Sequence, residues 1–159
     1  MIDGAHWFRV AKTDPVAVGL YRRHYSALKN HKTSAQLRRA GIAGSGKSIT
    51  LMTPDGLALF GWRHDIVPRK DGQTGVNCTI FRNEGPILSS TLIQEADDLC
   101  WQRWPGQRLF TYVGDSQIRS TNPGFCFQQA GWSKCGRNAD GRLTILELLP
   151  TPKEPNAPT

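Results

Sequence analysis

One segment matches the phosphate-binding pattern G-x-x-x-x-G-K-[ST] letter for letter: GIAGSGKS, from Gly41 to Ser48. In a P-loop these residues bind nucleotide phosphates, because a buried strand precedes the glycines and a helix N-terminus receives the anion. Here the preceding residues SAQLRRA do not resemble a buried strand, and the following residues ITLMTPDG indicate a strand and a turn. We therefore interpret the segment as a flexible basic loop.

The cysteines are a second set of residues with possible chemistry. They are Cys78, Cys100, Cys126 and Cys135, and no two of them are spaced as CxxC. A zinc site of the usual spacing is therefore not indicated. In a reducing compartment, scattered cysteines of this kind are expected to be small, buried apolar residues.

Positive charge is concentrated in the first half of the chain. The net charge is +7, and residues 1–75 hold 12 basic and 5 acidic residues, whereas residues 76–159 hold 8 of each. No acidic residue occurs between Asp14 and Asp55. A positive segment lets a protein approach phosphates without reading a base sequence, which indicates a nucleic-acid partner. A solvated basic surface is the alternative.

Length and hydropathy exclude several classes of protein. No apolar run approaches the roughly 18 residues that a transmembrane helix needs. The start, MIDGAHWFRV, lacks the apolar core of a secretory signal, so we expect a cytoplasmic protein. The length fits one domain over residues 1–149, followed by a proline-rich, disordered tail over residues 150–159.

Hydrophobic periodicity and turn residues predict a mixed order of strands and helices. Asp14 followed by Pro15 is typical of a helix start, and Pro54-Asp55-Gly56 and Asn138–Gly141 are typical of hairpin turns. Strands are expected at residues 6–12, 49–53, 57–63, 76–82, 108–113, 132–137 and 143–149. Helices are expected at residues 15–29, from a cap at Ser90 or Thr91 to Pro105, and from Asn122-Pro123 to Gly131. The strands at 76–82 and 108–113 should be parallel, because a helix connects them.

This order of elements, over residues 6–149, resembles the GNAT fold of N-acetyltransferases. The resemblance implies an α/β (α+β) architecture: a mixed, mostly antiparallel sheet with a central splayed parallel pair, flanked by helices. It also implies that acetyl-CoA or a related acyl-CoA enters the gap between the two parallel strands.

The turn over residues 82–90, RNEGPILSS, is the candidate site for the pyrophosphate of that cofactor. Anions bind there through backbone N–H groups at a helix N-terminus, preferably with a nearby cation. The segment is similar to the family pattern [RQ]-x-x-G-x-[GA], but Ile87 replaces the last small residue and Pro86 lacks an N–H group. An ordinary strand-to-helix turn is the alternative. The candidate cofactor-binding residues here are Arg82, Asn83, Gly85, Ser89 and Ser90.

The segment over residues 122–132, NPGFCFQQAGW, is similar to the N-x-x-(x)-x-x-(aromatic)-x-x-x-G-[FW] segment of the same family. The resemblance implies that Asn122 caps the helix and faces the cofactor, with Phe127 beside it. Gly131 is expected to turn the chain into the last hairpin.

A closer resemblance is to phage-encoded, Mom-like DNA modification proteins of this fold. The segments that carry it are RHYS at residues 23–26, FRNEGP at residues 81–86 followed by Ser89-Ser90, and IRSTNPG at residues 118–124. The Mom family modifies adenine in phage DNA and so protects it from host restriction enzymes. The resemblance implies an acyl-CoA-related modification of adenine in duplex DNA. Such chemistry requires the base to leave the helical stack.

The resemblance also implies a catalytic and metal-binding set of His24, Tyr25 and Asp115, with Ser26 as a further catalytic candidate. Oxygen and nitrogen ligands of these types suit iron better than zinc, and a metal can polarise a carbonyl group. An exposed histidine, a packed tyrosine and a turn aspartate are the alternative, because isolated residues of these types are common without a function.

The basic residues predicted to contact DNA phosphates are Arg22, Arg23, Lys29, Lys32, Arg38, Arg39 and Lys47. Three hypotheses follow. The first is a Mom-like DNA modification enzyme. The second is an ordinary GNAT acetyltransferase acting on a small amine or a protein. The third is a non-catalytic nucleic-acid-binding protein that keeps the fold.

Overall fold

In the described part of the chain, seven strands form one sheet in the order β1-β2-β3-β4-β5-β7-β6. The computed structural model describes residues 6–22, 47–65, 71–114, 124–138 and 141–151. The strands are β1 (Phe8–Val10), β2 (Lys47–Met52), β3 (Ala58–His64), β4 (Val76–Asn83), β5 (Leu109–Gly114), β6 (Ser133–Arg137) and β7 (Leu143–Leu148). The helices of the described residues are α1 (Pro15–Arg22), α2 (Ser89–Arg103) and α3 (Phe125–Gln129).

The strand pairing confirms the predicted fold class. β4 and β5 pair in parallel, and every other neighbouring pair in the sheet is antiparallel. α2 connects the two parallel strands, as the strand–helix–strand pattern predicts. The fold is therefore a mixed sheet with a central parallel pair.

A β-bulge in β4 changes which face of the sheet its side chains occupy. Gly61 of β3 pairs with Ile80, but the next residue, Trp62, pairs with Cys78, so Thr79 is an extra residue in β4. Cys78 therefore packs with the α2 side of the sheet, whereas Ile80 packs with α1. Gly61 allows this close approach, because a Cβ atom there would lie 2.9 Å from the Thr79 Oγ1 atom.

The two faces of the sheet have separate cores. On one face, α2, α3 and the aromatic residues of β3 bury a large apolar cluster that includes Phe60, Trp62 and Trp132. On the other face, α1 packs on a smaller cluster that includes Leu59 and Ile80. We call these the α2 face and the α1 face.

The helix starts agree only in part with the predictions. The Asp14 cap is confirmed, since its Oδ1 atom accepts hydrogen bonds from the backbone N–H groups of Val16 and Ala17 at 3.0 and 3.1 Å. The prediction of a cap at Ser90 or Thr91 is wrong. The N-cap of α2 is Leu88, and no side chain caps that helix.

The prediction that Asn122 caps the third helix is also wrong, because the N-cap of α3 is Gly124. Gly124 has a φ of +79°, and a Cβ atom at this position would lie 2.3 Å from a methyl carbon of Leu146. Both the backbone conformation and this close approach favour glycine. Gly131 follows α3 with a φ of +103°, which confirms its predicted turn.

Some predicted elements are shorter than expected or lie outside the described residues. β1 spans only Phe8–Val10, so His6 precedes the strand.

Cys78 and Cys100 are buried as predicted, but the prediction of burial is wrong for Cys135, which is exposed on β6. Residues 23–29 of the predicted first helix, the loop at residues 41–46 and most of the predicted tail lie outside the described ranges. No helix in the described ranges is long and apolar enough to span a membrane.

Candidate active site

The central parallel strands separate after a short paired region. Their pairing runs from Val76 opposite Leu109 to Cys78 opposite Thr111. Beyond that point β4 continues to Asn83 on β3, and β5 continues on β7. The facing backbone edges of β4 and β5 are therefore not paired with each other beyond Cys78, and buried backbone groups need partners. This arrangement forms a gap that closes at Cys78 and opens toward α2.

The N-terminus of α2 lies at the open end of this gap. The first N–H groups of a helix have no acceptor within the helix. At this end, the Leu92 N–H donates to the Leu88 carbonyl at 3.2 Å, and no side chain caps the helix. The N–H groups of Ser89 and Ser90 are thus left at a positive helix end, where an anion is favoured.

Asn83 organises the turn that precedes α2. Its Nδ2 atom donates to the Ile87 carbonyl at 2.7 Å and to Ser89 Oγ at 3.0 Å, and its Oδ1 atom accepts from the Gly85 N–H at 3.0 Å. The Gly85 N–H and the Asn83 amide are therefore engaged within the turn. Their predicted direct role toward a cofactor remains a prediction, and the observed role is structural.

Two further contacts fix the position of this turn. The Glu84 N–H donates to the Leu57 carbonyl at 2.7 Å, which joins the turn to the β2–β3 hairpin. Gly85 packs closely there, since a Cβ atom would lie 3.1 Å from Leu57 Cβ. Arg82 Nε lies 3.0 Å from Glu84 Oε2, and the Arg82 side chain is 35% exposed. Arg82 is thus a partly exposed cation at this turn, and it is the one charged residue among the predicted cofactor-binding residues.

Phe127 packs between the core of the α2 face and the part of β4 that does not pair with β5. Its ring centroid lies 5.9 Å from Phe81 of β4 and 4.9 Å from Trp132, and Phe127 is buried. Its predicted place beside a cofactor remains a prediction, and Asn122 lies outside the described residues.

The predicted catalytic and metal-binding residues fall outside the part of the chain that the structure describes. His24, Tyr25 and Ser26 follow the last residue of α1, and Asp115 follows the last residue of β5. Within the described ranges, no group of three or more His, Cys, Asp or Glu side chains could hold a metal ion. The iron proposal stays a prediction.

The predicted DNA-binding residues fall mostly outside these ranges as well. Arg23, Lys29, Lys32, Arg38 and Arg39 are not described. Arg22, the last residue of α1, and Lys47, the first residue of β2, are both exposed. Because Lys47 begins a strand, the residues after the glycine-rich segment do not form the helix that a P-loop requires.

The α1 face carries a polar group that our sequence interpretation missed. Asn77 of β4 is 4% exposed and pairs across the strands with Arg63 and Phe110. Its Oδ1 atom is buried and has no hydrogen-bond partner, and neither has the Oγ1 atom of Thr50 on the same face. A buried polar atom without a partner costs about 1–3 kcal/mol. The available signal was an asparagine within the apolar strand VNCTIF.

A buried carboxyl group lies on the α2 face. Asp97 is 3% exposed, and its Oδ2 atom accepts a hydrogen bond from Trp132 Nε1 at 3.2 Å. Burial raises the pKa of Asp97 to about 8, although the hydrogen bond from Trp132 acts in the opposite direction. The group is thus largely protonated at neutral pH.

This architecture, a splayed parallel pair with a helix N-terminus at its open end, is the GNAT fold. Solved structures of GNAT acetyltransferases share it. Aminoglycoside acetyltransferase AAC(6')-Ib, in complex with coenzyme A and kanamycin, superposes with a TM-score of 0.65 at 11% identity, covering 91% of this chain and 94% of that one.

Two further structures are similar over nearly the whole chain. Aminoglycoside 6'-N-acetyltransferase from Enterococcus faecium has a TM-score of 0.61 at 10% identity, covering 93% of this chain and 98% of that one. An acyl-CoA N-acyltransferase from Pseudomonas aeruginosa has a TM-score of 0.57 at 14% identity, covering 89% and 97%. No family model and no curated protein sequence matches the chain. At these identities the similarity establishes the fold.

Proposed function

We propose that this protein transfers an acyl group from an acyl-coenzyme A to an amine. The observation that carries the proposal is the separation of β4 and β5 beyond Cys78, with the uncapped N-terminus of α2 at the open end. Similar structures that contain coenzyme A support it.

The chain supplies two of the groups that such a cofactor needs. The N–H groups at the start of α2 and the Arg82 guanidinium provide positive charge for the pyrophosphate. The unpaired edges of β4 and β5 provide backbone donors and acceptors for the amide groups of the pantetheine arm. Bound coenzyme A would supply the activated thioester.

A charge placed at the start of α2 tests this proposal. Ser90→Asp should weaken binding of coenzyme A at least tenfold by calorimetry, because the carboxylate repels the pyrophosphate. The same change should leave the melting temperature equal or higher, because an acidic residue stabilises the first turn of a helix. Ser133→Asp, an identical substitution at an exposed position of β6, is the control and should bind normally.

The two readouts distinguish a binding effect from a folding effect. Loss of affinity together with loss of stability would indicate damage to the fold. Absence of measurable coenzyme A binding by the unaltered protein would refute the proposed activity.

For the acceptor, we propose a nucleic-acid base, with adenine in duplex DNA as the first candidate and phage defence against host restriction as its role. The surplus of positive charge in residues 1–75, together with the exposed Arg22 and Lys47, supports this acceptor. A small amine or a protein is the alternative acceptor, and the similarity to solved acetyltransferases supports that alternative. A non-catalytic DNA-binding protein shares the same charge pattern. A measurement of coenzyme A binding distinguishes the two, because only the acyltransferase needs the cofactor.

DNA from expressing cells gives the direct test. Nuclease digestion and mass spectrometry should detect a modified nucleoside, and unmodified DNA at good expression would count against the DNA proposal. Changing Lys29, Lys32, Arg38, Arg39 and Lys47 to alanine should weaken DNA binding and reduce its salt dependence. An unchanged salt dependence would remove the role proposed for these residues.

The proposed metal requires its own test. Metal analysis should show bound iron in the unaltered protein and less of it in His24→Ala and Asp115→Ala. Equal iron content in all three proteins would refute the ligand assignment.

A further inference from the structure

Asn77 of the α1 face lies at the closed end of the gap. Asn77 precedes Cys78, the last residue of β4 that pairs with β5, and its side chain lies on the face opposite α2. A cofactor with its pyrophosphate at the start of α2 would extend along the gap toward this end. An acceptor meeting its thioester from the α1 face would therefore pass Asn77.

Asn77 has capacity for a hydrogen bond that the protein does not use. Its Oδ1 atom is buried without a partner, as is Thr50 Oγ1 two strands away on the same face. A buried amide oxygen of this kind accepts an N–H donor. An N–H group of a ligand beside Asn77 would pair this oxygen and remove the cost of leaving it unpaired.

The carboxylates around Asn77 are already paired. The Oδ1 atom of Asp65 lies 3.0 Å from Arg63 Nε, and the Oδ2 atom of Asp71 accepts a hydrogen bond from the Tyr112 hydroxyl at 2.7 Å. Glu147, on the same face of β7, lies 2.7 Å from the Arg108 guanidinium. Within the described part of this face, no carboxylate without a hydrogen-bond or ion-pair partner is left to attract a cationic substrate.

We infer that the acceptor is an amine that is uncharged at neutral pH, and that Asn77 Oδ1 accepts a hydrogen bond from it. The inference rests on the proposed acyltransferase function and names its substrate class. An ammonium group needs a base before it can attack, whereas an uncharged amine already has a free lone pair. The carboxylates near Asn77 are already paired and the Asn77 amide is neutral, so this part of the face favours an uncharged amine over an ammonium group.

The transfer then balances without a further reactant. The amine lone pair attacks the thioester carbonyl carbon, the C–N bond forms, and the C–S bond breaks. The proton lost by nitrogen ends on the sulfur of coenzyme A. The products are an amide and the free thiol.

A panel of acceptors tests the substrate class. With acetyl-CoA as donor, aniline and 2'-deoxyadenosine represent uncharged aromatic amines, and kanamycin and spermidine represent polycations. Thiol release and product mass should show acetylation of at least one aromatic amine, with the polycations no faster than the rate without acceptor. Acetylation of the polycations at an equal or greater rate would overturn the inference.

Two substitutions test the role of Asn77. Asn77→Ala removes the unpaired oxygen, so it should fold normally and lower kcat/KM for the aromatic amine about tenfold, mainly through KM. Asn77→Asp should lower that value further and raise the relative use of spermidine, because it adds a carboxylate. Gln102→Glu, at an exposed position of α2, is the control for the added charge.

Coenzyme A affinity separates this inference from the proposed function. It should be equal in the unaltered protein and in Asn77→Ala. A protein that binds coenzyme A but acetylates neither aromatic amine would overturn the inference alone, as would an unchanged kcat/KM in Asn77→Ala. A protein that does not bind coenzyme A would overturn both.

Discussion

The two faces of the sheet differ in how many of their buried polar side chains form hydrogen bonds. On the α2 face, the indole N–H groups of Trp7 and Trp62 donate to the Leu92 and Ala96 carbonyls of α2 at 2.8 and 3.0 Å. On the α1 face, the side-chain oxygens of Thr50 and Asn77 are equally buried, but neither has a partner. The described part of the α2 face has one such atom, Asp97 Oδ1, but the other oxygen of that carboxyl group accepts a hydrogen bond from Trp132.

The difference separates a structural face from a candidate functional one. The rings on the α2 face form a continuous set of contacts, with Phe60 4.6 Å from Trp62 and Trp62 stacked 6.2 Å from Trp132. Such a core tolerates little change, because its atoms are closely packed. Unpaired polar atoms destabilise a fold unless they bind a ligand, so the unpaired oxygens of Thr50 and Asn77 carry a cost that binding would offset.

The largest effect is expected on the α2 face. Trp62→Ala should lower the free energy of unfolding by about 3–5 kcal/mol, because it removes a fully buried indole and leaves a cavity. Urea denaturation at one pH measures the loss. A loss under about 1 kcal/mol would contradict the structural role of this face.

A pH-dependent effect is expected from Asp97 on the same face. Its pKa is raised from 3.8 to about 8, so the folded protein binds more protons than the unfolded chain between these values. Stability should therefore fall as pH rises from 5 to 7.5, by up to about 1.4 kcal/mol per pH unit from this group. Asp97→Asn should flatten this dependence.

The measurement is the difference between Asp97→Asn and the unaltered protein in urea denaturation at several pH values. Asp98, whose charge helps raise the pKa of Asp97, provides the control. Asp98→Asn, at an exposed position, should leave most of the slope in place. Parallel curves for Asp97→Asn and the unaltered protein would contradict the buried, protonated carboxyl group.

Local sequence signals predicted the framework of the fold. Alternating apolar residues and the Pro54-Asp55-Gly56 turn indicated the β2–β3 hairpin, and Asp14-Pro15 indicated the start of α1. The bulge at Thr79 was not predictable, because it depends on the register between β3 and β4. The α2 start was misplaced because Leu88, an apolar residue, occupies the N-cap.

The candidate site was less predictable than the fold. The turn after β4 was found from its glycine, and the role of Asn83 toward a cofactor stays a prediction. That its side chain also holds the turn together was not predicted. Asn77 was missed because its importance depends on tertiary burial and on the absence of a partner for its oxygen. Neither property is visible in a single sequence.

The smallest effect is also the most direct test of the comparison between the faces. Thr50 and Thr111 are 3% and 4% exposed and lie in strands of the same sheet, but on opposite faces. Thr50 Oγ1 has no partner, whereas Thr111 Oγ1 donates to the Cys78 carbonyl at 2.9 Å. The same substitution by valine should therefore change stability in opposite directions.

Thr50→Val should raise the free energy of unfolding by about 1 kcal/mol, because it removes a buried hydroxyl that has no hydrogen bond. Thr111→Val should lower it by about the same amount, because it removes a hydrogen bond that is made. Paired urea denaturation curves at one pH measure both changes. If both variants lost stability equally, Thr50 would have a partner in solution, and the α1 face would be a structural surface like the α2 face.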